Sequence, residues 1–290
     1  MSMCWIKRTA VSDLLPQLAA LLLIVSSAGA FGVDNKLSQA EIEEGWELLF
    51  DGNEIRHWRN FKKDGLNEKW VVDNGTMKLV GSGGGDILTH KSYRNFDLRL
   101  EWLISEGGNS GIFILVDEEG KFIFSHAPEI QILDNERHSD RKVDSHRSGS
   151  LYDMVASHPS SHKPAGQWNQ VRILFRDGFL QVWQNGVKTV NVTIADSTWN
   201  TLFEASKFSS SIGTMFGDFE GFAEARSGHI GLQDHSDPVA FKNIKILAFD
   251  EIQQQVQRAL ESLEENLQRL RRYIEIPREF RHGLAHYHGK

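Results

Sequence analysis

Polar and apolar side chains alternate along one short stretch near the middle of the chain. In Glu129-Ile130-Gln131-Ile132, the two isoleucines are separated by one residue, and so are the carboxyl and the amide. Successive side chains of a β-strand point to opposite faces, so Ile130 and Ile132 are expected in the core. Glu129 and Gln131 then share the other face, where a carboxyl and an amide can hydrogen-bond a polar ligand.

Two further stretches repeat this alternation. From Phe96 to Trp102 every second residue is large and apolar, and Glu101 lies on the polar side. From Gly228 to His235 the polar side carries Gln233 and His235. If these strands lie on the same sheet face as Glu129, all these groups look out of one concave surface.

Carboxylates, amides and imidazoles hydrogen-bond sugar hydroxyls, and an aromatic ring beside them can stack on a sugar. Four rings are candidates for such a platform: Trp102, Trp168, Trp183 and Tyr152. The alternative is that the polar residues form the solvated face of an antiparallel sheet. On that interpretation the tryptophans belong to the core. The pattern therefore indicates a sugar-binding face without excluding an ordinary sheet surface.

The segments that must position these residues are β-strands. Between Trp46 and Phe249, short apolar stretches are separated by turn residues such as Asp51-Gly52, Asp177-Gly178 and Asn185-Gly186. Many antiparallel strands without intervening helices are typical of a sandwich or barrel. We therefore expect an all-β domain over residues 31–249.

Residues 250–276 have a different pattern. Apolar residues recur there at spacings of three and four among Glu, Gln and Arg, and Pro277 follows. This predicts an amphipathic helix. Its apolar face either packs on the sandwich or pairs with another copy of the chain as a short coiled coil, which would make a homo-oligomer. Residues 277–290 contain three histidines but are expected to be a frayed tail.

Residues 1–30 have the features of a signal peptide. Lys7 and Arg8 supply the positive region, Leu18–Val25 is an unbroken apolar run, and Ala28-Gly29-Ala30 is a small-residue cleavage pattern. The apolar run is too short to span a bilayer. We therefore expect a periplasmic or secreted protein, with no membrane attachment after cleavage.

Composition excludes several classes of function. The one cysteine, Cys4, lies inside the predicted signal peptide, so the mature chain has neither a thiol nucleophile nor a cysteine metal site. The formal net charge of the full chain is -7, which argues against nucleic acid as a partner.

One cue indicates ordinary glycoside hydrolysis. Glu129, Gln131 and Asp134 resemble the Glu-x-Asp-x-x-Glu strand of the β-glucanases, which share a sandwich architecture. Here the middle acid is replaced by an amide and the last by an aspartate. A pair of Glu129 and Asp134 acting as acid and nucleophile remains an alternative.

Seven motifs together resemble the 3-keto-disaccharide hydrolase family, and the resemblance runs from about Gly45 to Phe249. The motifs are Gly45-Trp46-Glu47-Leu48-Leu49-Phe50-Asp51-Gly52, Glu101-Trp102, Gly108-Asn109-Ser110-Gly111-Ile112-Phe113, Glu129-Ile130-Gln131-Ile132-Leu133-Asp134, Gly166-Gln167-Trp168-Asn169, Gly228-His229-Ile230-Gly231-Leu232-Gln233-Asp234-His235 and Phe241-Lys242-Asn243-Ile244-Lys245-Ile246. The resemblance implies a concanavalin A-like jelly-roll β-sandwich, export, and action on glycosides already oxidised at C3. The chain departs from the family at Ser236, where glycine is usual, and in the added C-terminal helix.

The substrate that the resemblance implies has its own chemistry. A ketone at C3 acidifies the proton on C2, so a base can remove it, the C1 substituent can leave, and water can add. This sequence needs a base, donors for the enolate oxygen, and an acid for the leaving oxygen. His235 is expected to be the base because an imidazole titrates near neutral pH. Glu129 is expected to be the acid.

Six further residues are expected to bind substrate: Glu101, Asn109, Gln131, Tyr152, Gln233 and Asp234. Glu101 and Asp234 would either orient His235 or hold a divalent cation, although no cofactor is required by this chemistry. The sequence thus predicts an enzyme that cleaves 3-keto-glycosides, a hydrolase or lyase with a carbohydrate substrate. A lectin-like carbohydrate-binding domain is the alternative, because one fold hosts both functions.

Overall fold

Thirteen β-strands and three α-helices lie in the part of the chain that the computed structural model describes, residues 34–209 and 219–274. The helices are α1 (Gln39–Glu44), α2 (Ser197–Glu204) and α3 (Phe249–Ile274). The predicted signal peptide over residues 1–30 and the predicted tail over residues 277–290 lie outside the described residues.

Eight strands form the larger of two antiparallel sheets. They are β1 (Glu47–Leu48), β3 (Trp70–Asp73), β4 (Thr76–Leu79), β6 (Phe96–Ile104), β9 (Asn169–Arg176), β10 (Phe179–Gln184), β11 (Val187–Thr193) and β13 (Val239–Ala248). Their order is β11-β10-β9-β6-β13-β4-β3, and β1 pairs with β13.

The remaining five strands form the second sheet. They are β2 (Trp58–Asn60), β5 (Ile87–Tyr93), β7 (Asn109–Val116), β8 (Glu129–Leu133) and β12 (Gly228–Leu232). Their order is β2-β5-β12-β7-β8, with antiparallel pairing throughout. Neighbours in space that are distant in sequence are typical of jelly-roll and Greek-key sandwiches.

Two hairpins form at the turn residues that predict them. Asp177-Gly178 joins β9 to β10, and Asn185-Gly186 joins β10 to β11. All four residues have positive φ angles, of 49°, 86°, 50° and 81° in chain order. Two-residue hairpins with both φ angles positive match the right-handed twist of the strands, and Asp-Gly and Asn-Gly adopt them readily.

A continuous hydrophobic core lies between the sheets. Ile130 and Ile132 contribute to it from the smaller sheet, and Trp102 and Phe241 from the larger, all fully buried. Fully burying one such side chain stabilises the fold by roughly 1.5–3 kcal/mol. The β-sandwich prediction is confirmed, but the three alternating strands do not share one sheet. Glu101 lies on β6 in the larger sheet, whereas Glu129 lies on β8 in the smaller.

The outer face of the smaller sheet is also covered. Leu88, Phe113, Val116, Ile123 and Ala127 form a second hydrophobic cluster there. Phe113 belongs to β7, whereas Ile123 and Ala127 come from the connection between β7 and β8. This covering by loops allows polar residues on the same outer face to be buried in a pocket.

The C-terminal helix is confirmed, and α3 begins directly after β13. The Asp250 carboxylate accepts hydrogen bonds from the backbone and side-chain nitrogens of Asn95, at 3.1 and 2.9 Å. Farther along α3, five apolar residues are between 40% and 58% exposed: Val256, Leu260, Leu263, Leu267 and Leu270. Packing of this apolar face on the sandwich, one of the two alternatives, is not what the structure shows. No helix within residues 34–209 and 219–274 has the length and apolar character needed to cross a membrane.

Candidate active site

A pocket of about 640 Å³, its mouth included, opens on the outer side of the smaller sheet. Ten residues line it: Asn109, Phe124, Glu129, Gln131, Tyr152, Lys207, Phe208, Phe219, Gln233 and His235. Six of these ten were candidate site residues in the sequence analysis. The pocket thus brings together the histidine and the glutamate expected to carry the chemistry.

The pairing register of β7 and β8 determines which polar side chains face this pocket. Gly111 pairs with Gln131, and Phe113 pairs with Glu129. Because Ile130 and Ile132 enter the core, Glu129 and Gln131 face outward together. A Cβ atom on Gly111 would lie 2.1 Å from Glu129 Oε1. The glycine therefore makes the space that the carboxyl occupies.

Amides surround the carboxyl of Glu129. Gln131 Nε2 donates to Asn109 Oδ1 at 3.2 Å. With its amide turned over, the Gln131 nitrogen would instead donate to Glu129 Oε1 at 3.2 Å and to the Ser110 carbonyl at 3.1 Å. The Gln131 side chain therefore lies between the Asn109 amide and the Glu129 carboxyl, within hydrogen-bonding distance of both.

Tyr152 reaches the pocket because its segment extends the edge of β8. The Tyr152 backbone nitrogen donates to the Glu129 carbonyl at 2.9 Å, and the Gln131 nitrogen donates to the Ser150 carbonyl at 3.0 Å. The Tyr152 hydroxyl donates to Asp140 Oδ2 at 3.2 Å. Tyr152 is the one proposed stacking ring among the residues that line the pocket.

Lys207 was missed by the sequence analysis. It follows α2, and its backbone nitrogen donates to Asp153 Oδ2 at 2.7 Å. The other Asp153 oxygen lies 2.7 Å from His146 Nε2. The His146 ring stacks on Tyr152 at 4.4 Å, and Lys207 Nζ lies 4.2 Å from the centre of the Tyr152 ring. Asp153 therefore ties together the two segments that carry Tyr152 and Lys207.

Burial controls the charges in this pocket. It raises the pKa of Glu129 to about 8, and Asp86 and Asp140 act in the same direction, whereas Lys207 opposes them. Burial also lowers the pKa of Lys207, although Glu129 and Asp153 favour its charged form. A carboxyl that keeps its proton near neutral pH can serve as a general acid.

The pKa of His146, which contacts Asp153 and Tyr152, depends on a different balance between burial and nearby charges. Burial by itself would lower the pKa of His146, but its contacts with Asp153 and Asp140 outweigh burial and raise it. Burial raises the pKa of Tyr152, and the nearby Asp140 and Glu129 raise it further. Tyr152 therefore keeps its hydroxyl proton, and the network presents a neutral phenol beside the Lys207 amine.

Gln233 and His235 enter the pocket from the segment after β12, which ends at Leu232. The Gln233 backbone nitrogen donates to the Gly111 carbonyl at 3.0 Å. Gln233 is 8% exposed, and its buried Oε1 has no hydrogen-bond partner among the described residues. His235 is exposed at the rim, with its ring centre 6.4 Å from that of His138. Gln233 thus places a buried acceptor without a hydrogen-bond partner, among the described residues, in the wall of the pocket.

Two predicted substrate-binding residues do not line the pocket. Glu101 accepts a hydrogen bond from Asn243 Nδ2 at 3.0 Å and lies 3.9 Å from Lys242 Nζ in the larger sheet. Asp234 accepts from the backbone nitrogens of Gly85 at 2.7 Å and Ser236 at 2.8 Å. The expectation that Glu101 shares a sheet face with Glu129 was therefore wrong, and the role of Asp234 stays a prediction. The alternation of polar and apolar residues predicts on which face of its strand a side chain lies, but not to which of the two sheets the strand belongs.

The glucanase-like pair is also not assembled. Asp134 lies five residues from Glu129, so a regular strand places the two side chains on opposite faces. The Asp134 carboxylate accepts from the backbone nitrogens of Gly107 at 2.7 Å and Glu136 at 3.0 Å. It stabilises these turns and is absent from the pocket lining.

Three phenylalanines form the remaining wall, and the sequence analysis missed them. Phe124 comes from the β7–β8 connection, and Phe208 and Phe219 come from the segments after α2. Phe208 and Phe219 are 4% and 6% exposed. The available signal was the density of phenylalanines between residues 203 and 222, which has no strand or helix period. Lys207 had no comparable signal.

The divalent cation considered in the sequence analysis has no evident cage. Within residues 34–209 and 219–274, no three His, Cys, Asp or Glu side chains are grouped so that they could hold a metal ion. Glu101 and Asp234, the two proposed ligands, have separate partners.

Comparisons with known proteins point to one family. Residues 45–247 match the family described as the 3-keto-alpha-glucoside-1,2-lyase-like domain. A 3-keto-disaccharide hydrolase of Bacteroides thetaiotaomicron is 36% identical over 231 residues, covering 71% of this chain and 79% of the relative.

Solved structures agree with the fold. A Parabacteroides distasonis protein assigned to the glycosyl hydrolases is 29% identical, with a TM-score of 0.67, over 74% of this chain and 99% of that one. A second protein of that organism with the same assignment is 24% identical, with a TM-score of 0.54, over 70% of this chain and 98% of that one. At that identity the second match supports the fold alone.

Proposed function

Because the chain belongs to the 3-keto-alpha-glucoside-1,2-lyase-like family, we propose that it cleaves glycosides by C2 proton abstraction, loss of the C1 aglycone and hydration. It is an enzyme of the glycoside hydrolase type that acts on 3-keto sugars. The observation that carries the mechanism is the buried carboxyl of Glu129, whose pKa is raised to about 8, in one pocket with His235.

The proposed reaction has two steps, elimination of the aglycone and then hydration. A base takes the C2 proton, the electrons of the C2–H bond pass into an enolate with the C3 oxygen, and the enolate expels the C1 oxygen. The aglycone leaves with a proton from an acid, and a C1–C2 double bond conjugated with the ketone remains. Water then adds its oxygen to C1 and a proton returns to C2. The products are the 3-keto sugar and the free aglycone.

Glu129 is suited to protonate the leaving oxygen, because a carboxyl that stays neutral near pH 7 is a competent acid. His235, at the exposed rim, is the proposed base, since imidazoles titrate in this pH range. The cationic Lys207 side chain would stabilise the enolate oxygen by its charge. Gln131, Asn109 and Gln233 would hold the sugar hydroxyls, and Tyr152 would stack on the ring.

A lectin-like carbohydrate-binding domain, the alternative from the sequence, would also need amides and a stacking ring. The raised pKa of Glu129 favours the enzyme. An isolated buried carboxyl is costly to a fold, and a binder gains nothing from it that an amide would not supply. The predicted signal peptide supports the further proposal that the reaction takes place in the periplasm or outside the cell.

The test is incubation of the purified chain with a 3-keto-glucoside and with its unoxidised parent, with release of the aglycone measured. We expect release of the aglycone from the 3-keto-glucoside but not from its unoxidised parent. In D₂O, elimination and hydration place deuterium at C2 of the product, whereas direct hydrolysis retains hydrogen. The isolated product, incubated separately, corrects for spontaneous exchange. Equal cleavage of both glycosides would contradict the proposal.

The proposed base is tested by His235→Asn, which keeps a hydrogen-bonding side chain but cannot accept the C2 proton. Loss of a positioned base costs on the order of 10²- to 10⁴-fold in kcat. Binding should largely persist. The matched control is His162→Asn, because His162 is hydrogen-bonded to Ser160 and lies outside the pocket lining. Full activity of His235→Asn would rule out His235 as the base.

A further inference from the structure

The two sides of the pocket differ in chemistry. The sheet side carries carboxyl and amide groups from Asn109, Glu129, Gln131 and Gln233. The covering segments contribute three phenyl rings, Phe124, Phe208 and Phe219, together with Tyr152 and Lys207. A ligand that fills this pocket therefore meets hydrogen-bonding groups on the sheet side and an apolar surface where the three phenylalanines lie.

The phenyl rings form a connected series that reaches the surface. Phe208 meets Phe219 edge-on at 5.2 Å, and Phe219 lies 6.4 Å from Phe124. Phe124 in turn stacks on Phe122 at 5.1 Å with an interplanar angle of 13°. Phe122 is 40% exposed and lies outside the pocket lining, with Lys121 Nζ 5.1 Å from its ring centre. The series leads from the pocket outward.

The sugar belongs at the polar side. The buried Oε1 of Gln233 has no hydrogen-bond partner among the described residues, and a sugar hydroxyl would supply one. Buried acceptors are rarely left unpaired, so this atom marks where a donor of the ligand is expected. With the sugar placed there, the phenylalanines are the apolar part of the lining that is left for the leaving part of the substrate.

We propose that Phe122, Phe124 and Phe219 form a subsite for an aromatic or otherwise apolar aglycone. This inference rests on the proposed function and adds the class of leaving group. A second sugar in that place would bring several hydroxyls against phenyl rings, where each loses water and gains no partner. Sugars do stack on aromatic rings, but tyrosine and tryptophan also offer a polar atom, which phenylalanine lacks. An aryl group loses no hydrogen bonds on the same surface.

The test compares three substrates with the same 3-keto sugar: the 2-phenylethyl glucoside, the ethyl glucoside and a disaccharide. The two leaving alcohols, 2-phenylethanol and ethanol, have similar leaving ability. A difference in KM between their glucosides therefore reports the contribution of the phenyl ring. We expect a KM for the 2-phenylethyl glucoside lower than that of the ethyl glucoside by roughly 3- to 10-fold. The disaccharide should have no such advantage. Equal KM values for all three would overturn the subsite and leave the proposed function intact.

Variants locate the effect. Phe124→Ala should raise the KM for the 2-phenylethyl glucoside by more than it raises the KM for the ethyl glucoside, so that the two KM values converge. Phe122→Ala should have a smaller effect of the same kind. Its matched control is Phe179→Ala, because Phe179 is 37% exposed, close to the 40% of Phe122, but lies on the larger sheet. A uniform rise in KM for every substrate in Phe124→Ala would contradict the subsite.

Equilibrium binding separates the subsite from the reaction. Calorimetric titration of the Glu129→Gln chain with the 2-phenylethyl and ethyl 3-keto-glucosides measures affinity without relying on turnover. Tighter binding of the 2-phenylethyl compound, lost in Glu129→Gln/Phe124→Ala, supports the subsite even if no substrate is cleaved. Equal affinities in the Glu129→Gln chain would overturn it.

Discussion

The pocket and the C-terminal helix depart from the usual distribution of residues in opposite ways. At the pocket, polar side chains such as Glu129 and Gln131 are 7% and 1% exposed. On α3, leucines are more than 40% exposed. A buried polar group and an exposed apolar patch are the two informative exceptions to the rule that apolar residues lie inside. Each region therefore indicates a partner, one a small molecule and the other a protein surface.

The pocket and the C-terminal helix differ in how many neighbouring elements pack against them. The carboxyl of Glu129 is positioned by its strand and by the covering loops, and it occupies the space over Gly111. Several independent contacts therefore fix its position. The seam of α3 has no such neighbours between Val256 and Leu270 within the part of the chain that the structure describes. Changes at the pocket should affect chemistry, whereas changes at the helix should affect assembly.

The largest effect is expected from Glu129→Gln. The amide has nearly the same shape but cannot donate a proton to the leaving oxygen, so kcat should fall on the order of 10²- to 10⁴-fold. Glu101→Gln is the matched control, because Glu101 and Glu129 are both 7% exposed and lie on different sheets. Steady-state kinetics should show near-normal turnover for Glu101→Gln. Similar losses in both variants would indicate a structural rather than a chemical role for Glu129.

A smaller loss is expected from Gly111→Ala. The added Cβ would lie 2.1 Å from Glu129 Oε1, whereas ordinary Cβ contacts exceed 3.0 Å, so the carboxyl must move. A displacement of about 1 Å in a reacting group can cost on the order of 10²-fold in rate. Gly65→Ala is the control, since no atom lies within 4 Å of its added Cβ. Unchanged kcat in Gly111→Ala would show that the carboxyl position is not critical.

The pH profile should lose activity on the alkaline side. Burial raises the pKa of Glu129 to about 8, so the protonated acid predominates below that pH and is lost above it. Activity limited by this proton should fall about tenfold per pH unit well above the pKa. The residual activity of Glu129→Gln should lack this alkaline limb, and Glu101→Gln should keep it. An identical limb in Glu129→Gln would assign it to another group.

The smallest effect on catalysis is expected from removing residues 252–290. This truncation keeps Asp250 and its hydrogen bonds to Asn95, and α3 supplies no residue of the pocket lining. Turnover of a 3-keto-glucoside should stay within about twofold, as for distant, independent sites. Loss of all activity in a truncated chain that remains folded would contradict the separation of the two regions.

The helix should instead determine assembly. Leu260, Leu263, Leu267 and Leu270 follow the alternating spacing of three and four that is typical of a coiled-coil seam. We predict self-association through α3, measured by sedimentation, and its loss in Leu263→Glu/Leu267→Glu. Ser262→Glu/Gln268→Glu, off the seam, is the control. A monomeric wild-type chain at high concentration would contradict this prediction.

Much of the architecture could be predicted from local patterns. Asp177-Gly178 and Asn185-Gly186 identified their hairpins because few residues tolerate the positive φ angles that such turns require. The alternation in β8 identified the outward face of Glu129 and Gln131. The same reasoning failed for Glu101, because period two is identical in every strand of both sheets. The roles assigned to His235 and Glu129 remain predictions.

Local patterns in the sequence predict which residues alternate, where the chain turns, and that a helix follows the last strand, because these properties depend on neighbours in the chain. The position of Glu101 on the other sheet, and the closure of the pocket by Lys207 and the phenylalanines, follow from long-range packing. Those contacts join residues far apart in sequence: the backbone of Lys207 reaches Asp153 across 54 positions. The raised pKa of Glu129 is likewise a tertiary property, since it arises from burial by segments that no local pattern connects.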